Sequence, residues 1–212
     1  MTQKFKLMPG LIAALLLSLL ITGCDSQRTE DLEDYTVTCT LDDQIKRDSA
    51  TLLVLEEDYN NLRVCAAARA QQETFTFKGQ TDGPKVALIR WDNDSTRPFY
   101  FVLEAGQTQL DISLGSWRVS GSAQNVDYMS FLNRRNAIMN ARVATWQEYL
   151  KAASTSSLKR EDEMRLVRQD SLLNDSLQRM TVERINHGDA VGRIIRERFA
   201  GQLDKEHARQ LK

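Results

Sequence analysis

Two spacings of apolar residues divide this chain. From Tyr35 to about Ser120, apolar and polar positions alternate, or apolar residues form short runs. Tyr35, Val37, Cys39 and Leu41 fall on one face of an alternating stretch. "ATLLVLEE", a short segment through Leu62, Val64 and Cys65, "ETFTFKG", "KVALIRW", "PFYFVLEAG" and "TQLDISLG" follow, bounded by Asp, Asn, Gly or Pro. Period two, short length and β-branched or aromatic content predict strands. Asp82-Gly83-Pro84 marks a turn, and Glu104-Ala105-Gly106-Gln107 reads as a hairpin between two strands. About seven short strands predict an antiparallel β-sandwich over residues 35–121, because each apolar strand face needs a second sheet to cover it.

After Gly121 the period lengthens. Val126, Met129, Leu132, Met139, Val143, Trp146 and Leu150 recur at helical intervals, interrupted by Asn136. They predict an amphipathic helix from about Asn125, as N-cap, to Ala152, with Asp127 in its first turn. Ala153–Ser157 breaks it. A second long helix is expected from Leu158 to Asn186, with Leu166, Leu173, Leu177 and Met180 on its stripe. His187-Gly188-Asp189 ends it. Short helices are expected at 190–200 and 204–211. The fold class is therefore α+β: a sandwich, then a helical region over 122–212 of two long and one or two short helices, packed on the sandwich or extending from it. The short link between the long helices favours an antiparallel pair.

The N-terminus carries a different pattern. Leu11–Ile21 is apolar except for Ser18, and its eleven residues fall short of the roughly twenty that span a bilayer. Lys4 and Lys6 precede it, and Ile21-Thr22-Gly23-Cys24 follows. A positive start, a short apolar core and small residues at the exit describe a secretory signal over residues 1–23. The cysteine after a small residue resembles the bacterial lipobox. That resemblance implies lipidation of Cys24, cleavage just before it, and a chain held at the cell envelope, with the outer membrane favoured over the inner. Multiple acyl chains anchor stably where one does not. Residues 24–34, polar and acidic, read as a tether between membrane and fold.

Charge narrows the partners. The 28 basic and 29 acidic residues leave a formal −1, and loss of Lys4 and Lys6 with the signal makes it −3. No basic excess points to nucleic acid. No P-loop, dinucleotide fingerprint or nucleophile elbow occurs in the sequence, so no cofactor and no enzyme class is expected.

Three motifs carry a family resemblance. They are Phe75-x-Phe77-x-Gly79, then Phe101-x-Leu103-Glu104-x-Gly106, then Ser120-Gly121-Ser122-x-x-Asn125. Over roughly residues 35–152 the chain resembles a domain of unknown function common in lipoproteins of Bacteroidetes-type bacteria. There the domain precedes a thioredoxin-like domain of the TlpA or AhpC/TSA kind. The resemblance implies an accessory role, with a thioredoxin-like envelope protein as one partner. Such redox domains carry Trp-Cys-x-x-Cys, and no Cys-x-x-Cys occurs in these 212 residues. Their chemistry needs a paired thiol of lowered pKa, so it is not carried over. Two readings result: a non-catalytic binding or accessory module, or the non-catalytic half of a split thiol–disulfide system.

Few residues offer chemistry of their own. Cys39 and Cys65 either form a disulfide, as an extracytoplasmic compartment allows, or remain buried thiols. His187 and His207 are the two histidines. His187 reads as a helix-end residue, and no metal site is expected. Glu161-Asp162-Glu163, near Lys159, Arg160 and Arg165, reads as a solvated helical face. Trp91 and Trp117 either line a ligand groove or pack at the sandwich edge.

Overall fold

A computed structural model describes residues 32–55, 61–91, 98–155 and 159–212. The expected signal, Cys24 and most of the expected tether lie outside them. Eight strands come first: β1 (Glu33–Leu41), β2 (Ser49–Leu55), β3 (Leu62–Arg69), β4 (Thr74–Thr81), β5 (Lys85–Trp91), β6 (Phe99–Leu103), β7 (Gly106–Ser113) and β8 (Ser116–Ser120). Helices α1 (Ala123–Ser154), α2 (Arg160–Asn186), α3 (Ala190–Phe199) and α4 (Lys205–Ala208) follow. The expected α+β class and the order of sandwich then helices are both present.

The strands form two four-stranded sheets, ordered β4-β1-β7-β8 and β3-β2-β5-β6. Fully buried Val37, Cys39, Phe75 and Leu110 of the first share one core with Leu52, Ile89 and Phe101 of the second. Phe75 meets Trp91 across the layers at 5.4 Å between ring centroids. Each such buried side chain contributes roughly 1.5–3 kcal/mol. β5 buries four successive residues, Val86 to Ile89, because α3 packs against β5 and β6 in addition to the sandwich core.

Several details differ from expectation. β8 makes an eighth strand, too short to register as a run. The pairing is not wholly antiparallel, since β1 and β7 run parallel. Glu104-Ala105 is not a hairpin tip. β6 and β7 lie in different sheets, and this link crosses between them, with Gly106 at φ +93°. β1 begins at Glu33, inside the expected tether, because Glu33 and Asp34 pair with Thr81 and Gln80 of β4.

The largest correction concerns α1. Its N-cap is Ser122, whose Oγ accepts from the Asn125 N–H at 3.2 Å. Asn125 lies within the helix, fully buried, with its carboxamide on β6: Oδ1 accepts from the Val102 N–H at 2.8 Å and Nδ2 donates to the Val102 carbonyl at 2.9 Å. Asp127 is beyond the first turn and pairs with Arg184 of α2 at 2.6 Å. The fully buried positions are Asn125, Tyr128, Phe131 and Thr145, while Met129, Leu132 and Met139 of the expected stripe are half-buried against the core. Val126, Val143, Trp146 and Leu150 are 45–62% exposed. Two aromatic side chains and one amide set the rotation of α1, outweighing the smaller aliphatic groups.

α1 and α2 pair antiparallel. Arg142 bonds Asp170 at 2.8 Å and Asn174 at 2.8 Å, and Arg165 reaches Glu148 at 2.6 Å. The Arg142 hydrogen bond holds the Asp170 carboxyl below its ordinary range. On α2, Leu166, Leu177 and Met180 are buried as expected. Asp189 caps α3 by accepting from the Gly192 N–H. Burial pushes Asp189 up, but hydrogen bonds from Arg184 and Gly192 outweigh it and leave it lowered.

Replacing Asn125 by Ala strands both backbone groups of Val102 in the interior. Unmade buried hydrogen bonds of this kind cost about 1–3 kcal/mol each. Asn125→Ala is therefore expected to lose about 2–4 kcal/mol in urea unfolding, and Asn125→Asp, which keeps only the acceptor, to be destabilised as well. A loss below about 0.5 kcal/mol would show that the carboxamide does not hold the helix.

Candidate functional site

The junction between β8 and α1 is fixed at three adjacent residues. Gly121 sits at φ +107°, and a Cβ there would lie 2.1 Å from the Gln107 carbonyl oxygen. Only glycine allows so close an approach of two backbones. Ser122 caps the helix and Asn125 fastens it to β6. The chain thus turns sharply out of β8 and sends α1 back alongside that strand.

An open groove of about 890 Å³ lies at β8 and the near face of α1. Its apolar lining comes from Leu41 of β1, Ile112 of β7, Trp117 and Val119 of β8, and Val126 and Met129 of α1, with Asp111 and Arg118 among its charged groups and Ser116, Ser130 and Asn133 among its polar ones. Trp117 is half-buried. Its indole meets Phe99 edge-on at 5.8 Å and Tyr128 at 6.0 Å. Tyr128 is held in turn by a hydrogen bond from Arg198. The groove is thereby tied to β6, α1 and α3.

β8 is the edge of its sheet. Its register with β7 runs Ser113↔Ser116, Ile112↔Trp117, Asp111↔Arg118, Leu110↔Val119 and Gln109↔Ser120. Leu114-Gly115 is a two-residue turn with Gly115 at φ +80°. The pair flanking such a turn is hydrogen-bonded, and bonding alternates from there. Ser116, Arg118 and Ser120 therefore face β7, while the N–H and C=O of Trp117 and Val119 face outward. On the solvent face, register aligns Thr40, Asp111 and Arg118 in one row across β1, β7 and β8. Asp111 accepts from the Gln109 side chain at 2.9 Å. Arg118 is exposed and in no ion pair with a described residue.

The other candidate residues lie apart. Trp91 is buried against Phe75 and lines no part of the groove; Trp117 does. Cys39 and Cys65 lie on different sheets and are not bridged to each other. Cys39 is in the core, where burial, and then the charge of Asp111, push its thiol up to about 12. Such a thiol is a poor nucleophile. Cys65 is skipped in the β2–β3 register, which passes from Leu52↔Ala66 to Leu53↔Val64, so it is the extra residue of a β-bulge. His187 is the C-cap of α2. His207 is buried, its Nδ1 at 2.9 Å from Asp204 and its Nε2 at 3.3 Å from Asp175, and it docks α4 on α2. Among the described residues, no group of three or more His, Cys, Asp or Glu is placed to hold a metal ion. Glu161, Asp162 and Glu163 are exposed in the first turn of α2.

Of the two tryptophans that the sequence offers for a groove, Trp117 lines it. The helix wall has its signal in the Ser120–Asn125 motif, whose glycine, cap and amide all act at the turn that creates it.

In a Cys24→Ser variant, both remaining thiols are expected to label once the protein is denatured without reductant. In the native state Cys65 should react faster than Cys39, by on the order of tenfold or more. Intact mass after timed alkylation reads this directly, and equal native rates would contradict the burial of Cys39.

No curated protein matches the chain. Residues 35–128, the whole sandwich through Tyr128 of α1, match the family model described as a domain of unknown function, DUF4369.

Proposed function

We propose that this chain is a lipid-anchored lipoprotein of the bacterial cell envelope whose folded part is a non-catalytic binding module. The groove between β8 and α1 carries the reading. It combines an aromatic and aliphatic lining with hydroxyl, amide and charged groups in one concave surface, which is the make-up of a recognition site. Its walls are fixed through Gly121, Ser122 and Asn125, so the surface exists before a partner arrives, and little ordering cost is left for binding.

The address rests on the sequence. The apolar run Leu11–Ile21 ending in Gly23-Cys24 supports lipid attachment at Cys24 and, with the short tether behind it, a fold held close to the membrane. The outer membrane is the favoured location. The runner-up reading makes the chain the non-catalytic half of a thiol–disulfide system, with a thioredoxin-like envelope protein as its partner; the three motif resemblances support it. In either case the raised pKa of Cys39 speaks against that residue as an attacking thiol.

The two halves of the proposal are tested separately. Cys24→Ala should move the protein from the membrane to the soluble fraction of lysed cells, and continued membrane association would overturn the anchor. Cross-linked pull-down from solubilised envelopes should recover a partner with the native chain and lose it with Val126→Glu, which places a charge in the groove. Equal recovery by both would remove the groove from the function.

A further inference from the structure

A second pocket, of about 150 Å³, lies where α1, α2 and the end of α3 meet. It shares no lining residue with the groove and does not depend on it. We propose that this pocket binds a small organic monoanion, a carboxylate carrying a short apolar chain.

Size sets the first limit. The volume is the room of about five waters, enough for an organic molecule of roughly six non-hydrogen atoms.

Charge sets the second. Arg135 and Arg142 line the pocket, and among the described residues no Asp or Glu does. Arg142 is already neutralised, since its Nε and Nη2 reach the two oxygens of Asp170 at 2.8 and 3.1 Å. Arg135 is in no ion pair with a described residue. Its Nη2 donates to the neutral Gln202 Oε1 at 2.7 Å, and its guanidinium lies over the Phe199 ring, 4.3 Å from the centroid. Arg198 stands 5.1 Å from the same centroid and adds a like charge. Burial, and then the charge of Arg198, push the Arg135 pKa below its ordinary value. The pocket therefore holds one half-buried positive charge without a counterion, and a guanidinium so placed favours a carboxylate, which it can meet with two parallel N–H bonds. One net charge suits a monoanion better than a dianion.

The amides agree with that sign. Asn174 Oδ1 accepts from Arg142 Nη1 at 2.8 Å, which leaves its NH2 as the group to meet a ligand. Gln202 likewise turns its oxygen to Arg135. The acceptors are committed to arginines and the donors remain, as an anion requires. Met139, Leu177, Phe199 and Leu203 complete the wall. An apolar wall of this kind suits an organic substituent rather than a hydrated inorganic ion.

The probe is butyrate, titrated into the full chain at constant ionic strength and followed by amide chemical shifts. It is expected to saturate with a millimolar dissociation constant, as about six non-hydrogen atoms allow, and to shift amides near Arg135, near Asn174 and in the turn Ala200–Gln202. Butanol and inorganic phosphate should each bind at least about tenfold more weakly, the first for want of charge and the second for want of an apolar chain. Arg135→Gln should weaken butyrate by roughly tenfold or more, whereas Arg134→Gln, an exposed neighbour outside the pocket, should not. Asn174→Asp keeps the oxygen that Arg142 uses and puts a negative charge in the pocket. It should abolish binding while leaving the thermal unfolding midpoint near that of the native chain, so that loss of the site is told apart from loss of the fold. The proposal is overturned if no saturable shift appears by about 50 mM butyrate. It is also overturned if butanol or phosphate binds as tightly, if Arg134→Gln weakens binding as much as Arg135→Gln, or if folded Asn174→Asp binds like the native chain.

Discussion

Both backbone polar groups of Val102 end on one side chain. β6 is an edge strand, and at Val102 its free edge would otherwise be buried under α1 without partners. The carboxamide of Asn125 carries a donor and an acceptor a fixed distance apart, and it meets the Val102 C=O and N–H at 2.9 and 2.8 Å. It therefore acts as a single residue of an added strand, delivered by a helix. Serine would supply one bond where two are needed, and leucine none. This one contact closes the β6 side of the sandwich and sets the rotation of α1. On the β8 side α1 runs beside Trp117, and the groove lies between them.

The rest of the helical region follows from that rotation. With Asn125 inward, Tyr128 and Phe131 come inward too, and Phe131 meets Phe199 of α3 at 6.0 Å. Farther along, α1 faces α2 through Arg142, Thr145 and Glu148. Val143 and Leu150 are left outside, although they look like a core stripe in the sequence, and Trp146 is half-exposed with its indole on Asp170 of α2. Charged contacts between α1 and α2 are mostly at the rim. The Arg142–Asp170 pair, partly shielded, contributes more than exposed Arg165–Glu148, since exposed pairs contribute about 0–1 kcal/mol.

The class of the fold was legible because period two and period three-to-four are properties of local sequence. Core residues of the alternating strands, such as Val37, Phe75, Phe77 and Leu110, are those that periodicity marks. Sheet membership was not legible. Glu104-Ala105-Gly106-Gln107 looks like a hairpin from within, yet the chain uses it to change sheets, and only long-range pairing decides that. The parallel β1–β7 pair has the same origin. Helix rotation was not legible for a different reason: the aliphatic stripe does not include Asn125, Tyr128 or Phe131, the residues that define the buried face. The motif residues were visible before their roles were. Gly79 leaves room for the Tyr35 ring, since a Cβ there would lie 2.6 Å from its hydroxyl. Gly121, Ser122 and Asn125 build the strand-to-helix turn. Trp117 was legible as a candidate lining residue, but the rest of the groove was not, because its walls come from β1, β7, β8 and α1, which only the tertiary fold brings together.

The central claim is that Asn125 closes the β6 edge of the sandwich and thereby sets the rotation of α1. Residue-resolved amide hydrogen exchange tests it most directly. The account predicts that the Val102 amide exchanges as slowly as the core amides of β5 in the native chain, and far faster in Asn125→Ala. Fast exchange at Val102 in the native chain, or no change in the variant, would contradict it.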